Sequence, residues 1–306
     1  MKTKTTLWES IGFNQKLAPY IFVSPFFILF VIFGMYPLVY SIYMSFFDMR
    51  LVGNRGFVGL SNYTRLFTTD AFFAKSLINT SLLLIFGSIL QHVFAIPLAI
   101  GVNSKRLKAR HLFKTLVFAP YITSAVATVI IFGMVFDHNH GVLNYLLETV
   151  LQIEGGFRWT TQGGPIKAAI SIMLNWRFIG FNMVIYLAGL QGIPDELYES
   201  AEIDGASTFQ MHRLITIPML MPIIFFALTL SIIGGFQLFD EPFILMGGYE
   251  TIGGPDQGGL TVAYYLMFLG FANGRLGRGA AVAWVLFLII LLFTFINRKV
   301  TNRLQR

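Results

Sequence analysis

Residues 192–222 read Gly192-Ile-Pro-Asp-Glu-Leu-Tyr-Glu-Ser-Ala-Glu-Ile-Asp-Gly-Ala-Ser-Thr-Phe-Gln-Met-His-Arg-Leu-Ile-Thr-Ile-Pro218-Met-Leu-Met-Pro222. Pro194 suits the start of a helix, and Asp195 and Glu196 suit its positive N-terminal end. Leu197, Ala201 and Asp204 then fall on one face, and Tyr198 and Glu202 on another. Gly205 lets the chain turn after Asp204. A second amphipathic stretch, 207–216, leads to Pro218. The reading is a short helix–turn–helix, acidic and partly apolar. Long apolar runs bound it on both sides: 168–194, broken by the single charge of Arg177, and 214–239. A charged hairpin between two such runs belongs at a membrane surface.

The whole chain continues this alternation. Charged residues are 12%, against roughly 25% in a typical soluble domain. Apolar residues are 55%, and 32 residues are Phe. So few charges cannot cover the surface of a soluble domain, which excludes a soluble globular or a disordered protein. There is no cysteine, so disulfides, zinc–thiolate sites and thiol catalysis are excluded. The net charge of +7 is not a nucleic-acid signal, because Lys and Arg in a membrane protein first mark orientation.

A bilayer core needs about 20 apolar residues per helix. Besides the two runs above, 17–47, 76–104, 115–136 and 279–297 carry no Asp, Glu, Lys or Arg. They predict six spans, at about 17–45, 76–101, 115–136, 168–191, 217–240 and 277–297. These make one transmembrane domain, 17–297, between a tail 1–16 and a basic tail 298–306, with the hairpin as a loop over 192–216. A seventh run, 257–274, opens on Gly258 and Gly259 and is apolar only from Leu260 to Phe271. It reads as re-entrant or interfacial, with seven spans as the alternative.

Charge sets the orientation. The N-terminal tail holds Lys2, Lys4 and Lys16, and the C-terminal tail Arg298, Lys299, Arg303 and Arg306. The loop 102–114 holds Lys105, Arg106, Lys108, Arg110 and Lys114. Placing all three in the cytoplasm requires an even number of spans. Two segments strain the rule. Arg50, Arg55, Arg65 and Lys75 then lie outside, and the acidic hairpin lies inside. Arg275 and Arg278 mark the interface before the last span. The first run far exceeds the ~7–15 apolar residues of a signal peptide, so it is expected to stay as a span.

No nucleotide-binding motif is present, and His92, His111, His138, His140 and His212 lack zinc-like spacing. No constellation suggests an enzyme. No Asp or Glu sits at the centre of a predicted span, which argues against an ion-coupled carrier. Gln91 and His92 lie mid-run and read as helix–helix hydrogen-bonding groups.

The hairpin resembles the EAA loop of permease subunits in bacterial ATP-binding-cassette (ABC) importers. That pattern is Glu-Ala-Ala, three residues, Gly, nine residues, then Ile-x-Leu-Pro. Here Glu199-Ser200-Ala201 is followed by Gly205 and by Ile215-Thr216-Ile217-Pro218, with Ser200 and Ile217 as the two departures. Glu196 to Ala206 looks like the carbohydrate-uptake branch. Similar stretches are Phe57 to Tyr63, Ala119-Pro120-Tyr121, Gly141 to Asn144, Gly180 to Met183 and Leu187 to Gln191. The resemblance implies an all-α membrane protein of the type I importer permease fold, with six transmembrane helices and a cytoplasmic coupling hairpin. It also implies a multi-pass subunit of the bacterial inner membrane, with both termini cytoplasmic. Its implied partners are a second, homologous permease, two copies of an ABC ATPase that carry ATP and Mg, an extracytoplasmic solute-binding protein, and lipid; no nucleic acid is expected. This chain itself would bind no cofactor and no metal.

By the same resemblance, Glu199 and Asp204 would pair with basic groups of the ATPase. Ala201, Gly205 and Ala206 would permit close approach, and Leu197, Tyr198 and Ile203 would give apolar anchorage. A sugar would be held by aromatic faces and fixed polar groups. The resemblance to the sugar-contacting maltose permease places its path near Arg177, Phe178, Phe181, Ser231, Gly234, Gly235 and Leu238. Phe236 and Gln237 are added as path-lining residues. The glycine-rich 246–259 is expected to be a flexible external loop. The expected function is import of a sugar or oligosaccharide by alternating access. The alternatives are another solute, such as glycerol 3-phosphate with Arg177 as its anion contact, or an ion-coupled secondary carrier.

Overall fold

The computed structural model describes residues 17–104, 107–153 and 155–304. The predicted tail 1–16, the bases Lys105 and Arg106, and Arg306 lie outside the described residues. The chain opens with α1 (Ala18–Ser45), which contains a π turn at Val31–Met35. An antiparallel hairpin follows, β1 (Phe47–Met49) on β2 (Asn54–Phe57). Next come α2 (Ser61–Thr68) and α3 (Ala71–Asn103), the latter with a π turn at Leu84–Ile89. Then follow α4 (Arg110–Ile122), α5 (Ala125–Val135), α6 (Val142–Leu151) and α7 (Gly163–Leu190). The hairpin is α8 (Asp195–Ile203) and α9 (Thr208–Met211), and a π turn, His212–Thr216, leads into α10 (Ile217–Phe236). The end of the chain holds α11 (Asp240–Leu245), α12 (Val262–Met267) and α13 (Leu276–Leu304).

Five helical stretches are long and apolar enough to cross a membrane, and a sixth if the bent pair α4–α5 counts as one span. That pair differs from the single straight span expected over 115–136: its halves meet at 99°. Pro120 cannot donate to the helical ladder, and Thr123 and Ser124 are extended. Ser124 then restarts the helix, its hydroxyl accepting from the Ala127 N–H at 3.2 Å. A second difference concerns the basic tail from 298. It is no separate segment, because α13 runs unbroken to Leu304. The run 257–274 holds no helix long enough to cross. Its helix, Val262–Ala272 including a π turn, is short, and it packs against α3 and α13.

Helix α7 is central and packs on α3, α4 and α10. Its Gly180 lies against the backbone of α4, where a Cβ would sit 1.9 Å from the Val117 carbonyl oxygen. Helix α13 packs on α10, α12 and the second half of α1. In lipid, polar groups must find partners within the protein. Trp284 Nε1 accordingly donates to Ser41 Oγ at 3.1 Å, and Asn297 Nδ2 donates to Thr229 Oγ1 at 2.7 Å.

Buried amides organise the loops. Asn62 Nδ2 donates to the carbonyls of Ser45 (2.8 Å) and Phe47 (3.0 Å), fixing α2 to the end of α1. Asn144 bonds His138 and Phe157, and its Oδ1 accepts from Trp159 Nε1 at 2.8 Å. Asn79 Nδ2 donates to the carbonyls of Gln257 (2.7 Å) and Leu260 (3.0 Å), tying the glycine-rich stretch to α3. The glycines of that stretch serve close approach more than freedom. A Cβ on Gly258 would lie 2.6 Å from the Gly163 carbonyl oxygen, and one on Gly253 2.5 Å from Leu260 Cβ. The expected flexible loop is therefore a packed one.

Candidate functional site

The hairpin 195–211 is built by local chemistry. Pro194 precedes α8, and Asp195 and Glu196 occupy its first turn. Gly205 adopts φ +77°, a left-handed conformation that suits glycine. The helix end closes with the Gly205 N–H on the Glu202 carbonyl at 3.0 Å and the Ala206 N–H on the Ala201 carbonyl at 2.9 Å. Ser207 and Gln210 then form a capping box that starts α9. Glu199, Asp204 and Gly205 are exposed, and Ala201 and Ala206 are half-buried. Tyr198 does not face outward with them. Its hydroxyl lies 2.9 Å from Thr216 Oγ1, and its ring packs on the core beside α7 and α10. Tyr198 therefore anchors the hairpin to its own bundle. The outward apolar surface belongs to Leu197, Ile203 and Phe209, with Ile203 87% and Phe209 72% exposed. The sequence pattern does not single out Phe209.

A cavity of about 140 Å³ lies between the helices and opens at the exposed Gly234. Helix α3 supplies Ser88 and Gln91, and α4 supplies Tyr121. Helix α7 supplies Leu174, Phe178, Phe181 and Asn182. Helix α10 supplies Leu230, Ser231, Gly234 and Gly235, and Leu238 follows just beyond it. One wall is aromatic: the Tyr121 and Phe181 rings stack with centroids 4.6 Å apart, and Phe178 meets Tyr121 edge-on at 5.8 Å. The polar lining groups are Ser88, Gln91, Asn182 and Ser231, the last held from behind by residues that do not line the cavity. His92 Nε2 lies 2.9 Å from Ser231 Oγ, and its Nδ1 lies 2.6 Å from the Tyr186 hydroxyl. One neutral imidazole satisfies both contacts, donating through one nitrogen and accepting through the other. Gln91 Oε1 is buried without a partner, while its amide nitrogen donates to the Ser88 carbonyl. Among the described residues, no charged side chain lines the cavity.

The residues picked out in the sequence divide accordingly. Phe178, Phe181, Ser231, Gly234, Gly235 and Leu238 come together at the cavity. Arg177 is beside it but is paired with Glu241 of α11, both largely buried, and its guanidinium lies 5.3 Å from the Phe178 ring centroid. Phe236 does not line the cavity: it is 2% exposed and packs against Phe293, because its direction on α10 is opposite to that of Gly234. Gln237 is exposed and does not line the cavity. Ser88, Gln91, Tyr121 and Asn182 line it without being marked as path residues by the sequence, although Gln91 stands out as a mid-run amide and Tyr121 as part of a family-like motif.

Outside the bundle, the Asp137–His140 loop offers little chemistry. The Asp137 carboxyl is held below its ordinary range, chiefly by the backbone N–H of His140. Among the described residues, no group of three or more His, Cys, Asp or Glu could hold a metal ion.

Long apolar helices around a cavity without charged lining suit a membrane permease. The chain belongs to the family of binding-protein-dependent transport system inner membrane components, whose model matches residues 91–306. It is similar to the arabinooligosaccharides transport system permease protein AraP of Bacillus subtilis, with 36% identity over 302 residues covering 98% of this chain and 93% of that one. The lactose transport system permease protein LacF of Rhizobium radiobacter is 34% identical over 96% of this chain and 97% of its own length. In fold, the chain resembles a chain of a bacterial ABC transporter involved in the import of the acidic polysaccharide alginate. The TM-score is 0.82 at 23% identity, over 98% of this chain and 99% of that one.

Proposed function

We propose that this chain forms half of the translocation path for a neutral oligosaccharide, working by alternating access in an ATP-driven importer of the bacterial inner membrane. A second, homologous permease supplies the other half, and an extracytoplasmic binding protein delivers the solute. Two ABC ATPase subunits bind ATP and Mg and receive the hairpin 195–211 in a cleft, with both termini of this chain on their side of the membrane. Exposed Glu199 and Asp204 meet basic groups there, and Ile203 and Phe209 meet apolar ones.

The observation that carries the solute class is the cavity lining: the aromatic rings of Tyr121 and Phe181 together with hydroxyl and amide groups, and no charge among the described residues. Sugar C–H faces stack on such rings, and sugar hydroxyls bond such polar groups. The oligosaccharide and lactose names of the relatives support the same class. An anionic solute such as glycerol 3-phosphate fits less well, because Arg177 already has Glu241 as its counter-charge. Competition against labelled oligosaccharide uptake tests the reading. Neutral oligosaccharides of the correct kind should compete, and glycerol 3-phosphate should not. Competition by the phosphate ester alone would replace this solute class.

A further inference from the structure

At one end of the bundle, arginines gather where the apolar helices begin. A cavity of about 360 Å³ lies between α2, the start of α3, α12 with its π turn, and the start of α13. Arg65, Arg275 and Arg278 line it, together with Asp70, Phe72 and Phe268. Asp70 is already fully engaged. Its Oδ1 accepts from the Phe73 N–H at 3.1 Å, and its Oδ2 accepts from the Tyr265 hydroxyl at 2.6 Å and Arg278 Nη2 at 2.8 Å. The Arg278–Asp70 pair is 12% and 4% exposed, so it belongs to the framework. Arg278 Nε is nevertheless buried without a partner. Among the described residues, Arg65 and Arg275 have no carboxylate within 4.0 Å. Three guanidinium groups thus face one carboxylate, leaving two positive charges unmatched.

Arg65 is exposed and Arg275 half-buried, so both guanidinium groups can meet an anion at the level of the headgroups. The surroundings select the anion. Phe72 and Phe268 line the cavity, and Phe271, further along the same π turn, is 60% exposed. The charge-free runs of α3 and α13 begin at Ser76, within two turns of Asp70, and at Gly279, next to Arg278, so the cavity sits at the boundary of headgroups and acyl chains. A phospholipid offers both a phosphate for the guanidinium forks and an acyl chain for the rings. On the orientation proposed above this end lies outside, where an excess of Arg runs against the usual bias. We infer that this cavity binds the phosphate of an anionic phospholipid headgroup, with Arg65 and Arg275 closing on it over the fixed base of Arg278.

The test uses the intact importer purified from native membranes into detergent. Native mass spectrometry then reads retention of dioleoylphosphatidylglycerol against dioleoylphosphatidylcholine, with inorganic phosphate as a third probe. Wild type should retain phosphatidylglycerol preferentially. R65Q/R275Q should lower that retention about tenfold, as loss of two charge-assisted contacts implies, and each single variant should lower it partly. R55Q, on the exposed β-hairpin, should change nothing. Arg278 is left intact so that the Asp70 pair survives, and an unchanged thermal midpoint checks the fold. Equal retention by the double variant, an equal loss in R55Q, or displacement by low-millimolar inorganic phosphate would each overturn the lipid site; the last would make it a soluble-phosphate site.

Discussion

Replacing Gly234 with leucine should close the path while leaving the fold intact. Gly234 lies within α10 and faces the cavity, and a Cβ there would meet nothing within 4 Å. The cavity holds about 140 Å³. Removing one core leucine side chain from a protein leaves a void of about 150 Å³, so one added leucine fills this space. A glycine in a helix interior costs up to ~1 kcal/mol relative to good helix formers, so the thermal midpoint should hold or rise. The adjacent Gly235 provides the contrast. Its Cβ would lie 2.6 Å from Leu84 Cδ1 and 2.9 Å from Ser88 Oγ. Even alanine there forces the buried Leu84 and Ser88 side chains to shift, an overpacking that costs about 1–3 kcal/mol where they cannot move freely. The assay is ATP-driven uptake of labelled oligosaccharide into proteoliposomes, with ATP hydrolysis and thermal midpoint measured on the same preparations. G234L should be stable and hydrolyse ATP, yet lose uptake by at least about tenfold, equivalent to ~1.4 kcal/mol. G235A should instead lower the midpoint. Normal uptake by a folded G234L importer would remove this cavity from the path.

Three further outcomes follow from the same geometry. Y121A removes the ring stacked on Phe181, and a contact worth about 0.5–1.5 kcal/mol should raise the transport KM roughly two- to tenfold with little change in ATP hydrolysis. E241A leaves the largely buried Arg177 without its counter-charge, a change that costs about 3–5 kcal/mol; the midpoint should fall sharply, and R177M/E241L should restore most of it. Gly205 has φ +77° and an empty surround within the chain, so G205L strains the turn by about 1–2 kcal/mol and leaves the bundle folded. Its uptake should be lost while ATP hydrolysis continues, and G205N, whose side chain tolerates this conformation, should retain more uptake than G205L.

What is legible in the sequence is chiefly local. The hairpin 195–211 can be read because Pro194, Gly205 and the Ser207–Gln210 box act within a few residues of themselves. The bend at Thr123–Ser124 is hidden by an unbroken apolar run, although Pro120 lies inside it. The cavity is legible as a region on α7 and α10, but its remaining walls depend on which helices become neighbours. Gln91 and Tyr121 reach it from α3 and α4 only because Gly180 and Gly235 let those helices approach. Phe236, which the sequence places on the path, lies away from the cavity because adjacency in sequence is not adjacency on a helix face. Tyr198 reads from sequence as facing a partner, whereas Thr216, on the π turn ahead of α10, draws it inward.

The central claim is that this chain transports only as part of an ATP-driven assembly. The most direct test is purification of the tagged chain from native membranes, with its companions identified and ATP-dependent uptake measured after reconstitution. The account predicts a second permease and an ABC ATPase in the preparation, with uptake that requires ATP and the binding protein. A lone chain that carries solute without ATP, and stops when an ion gradient is dissipated, would contradict it.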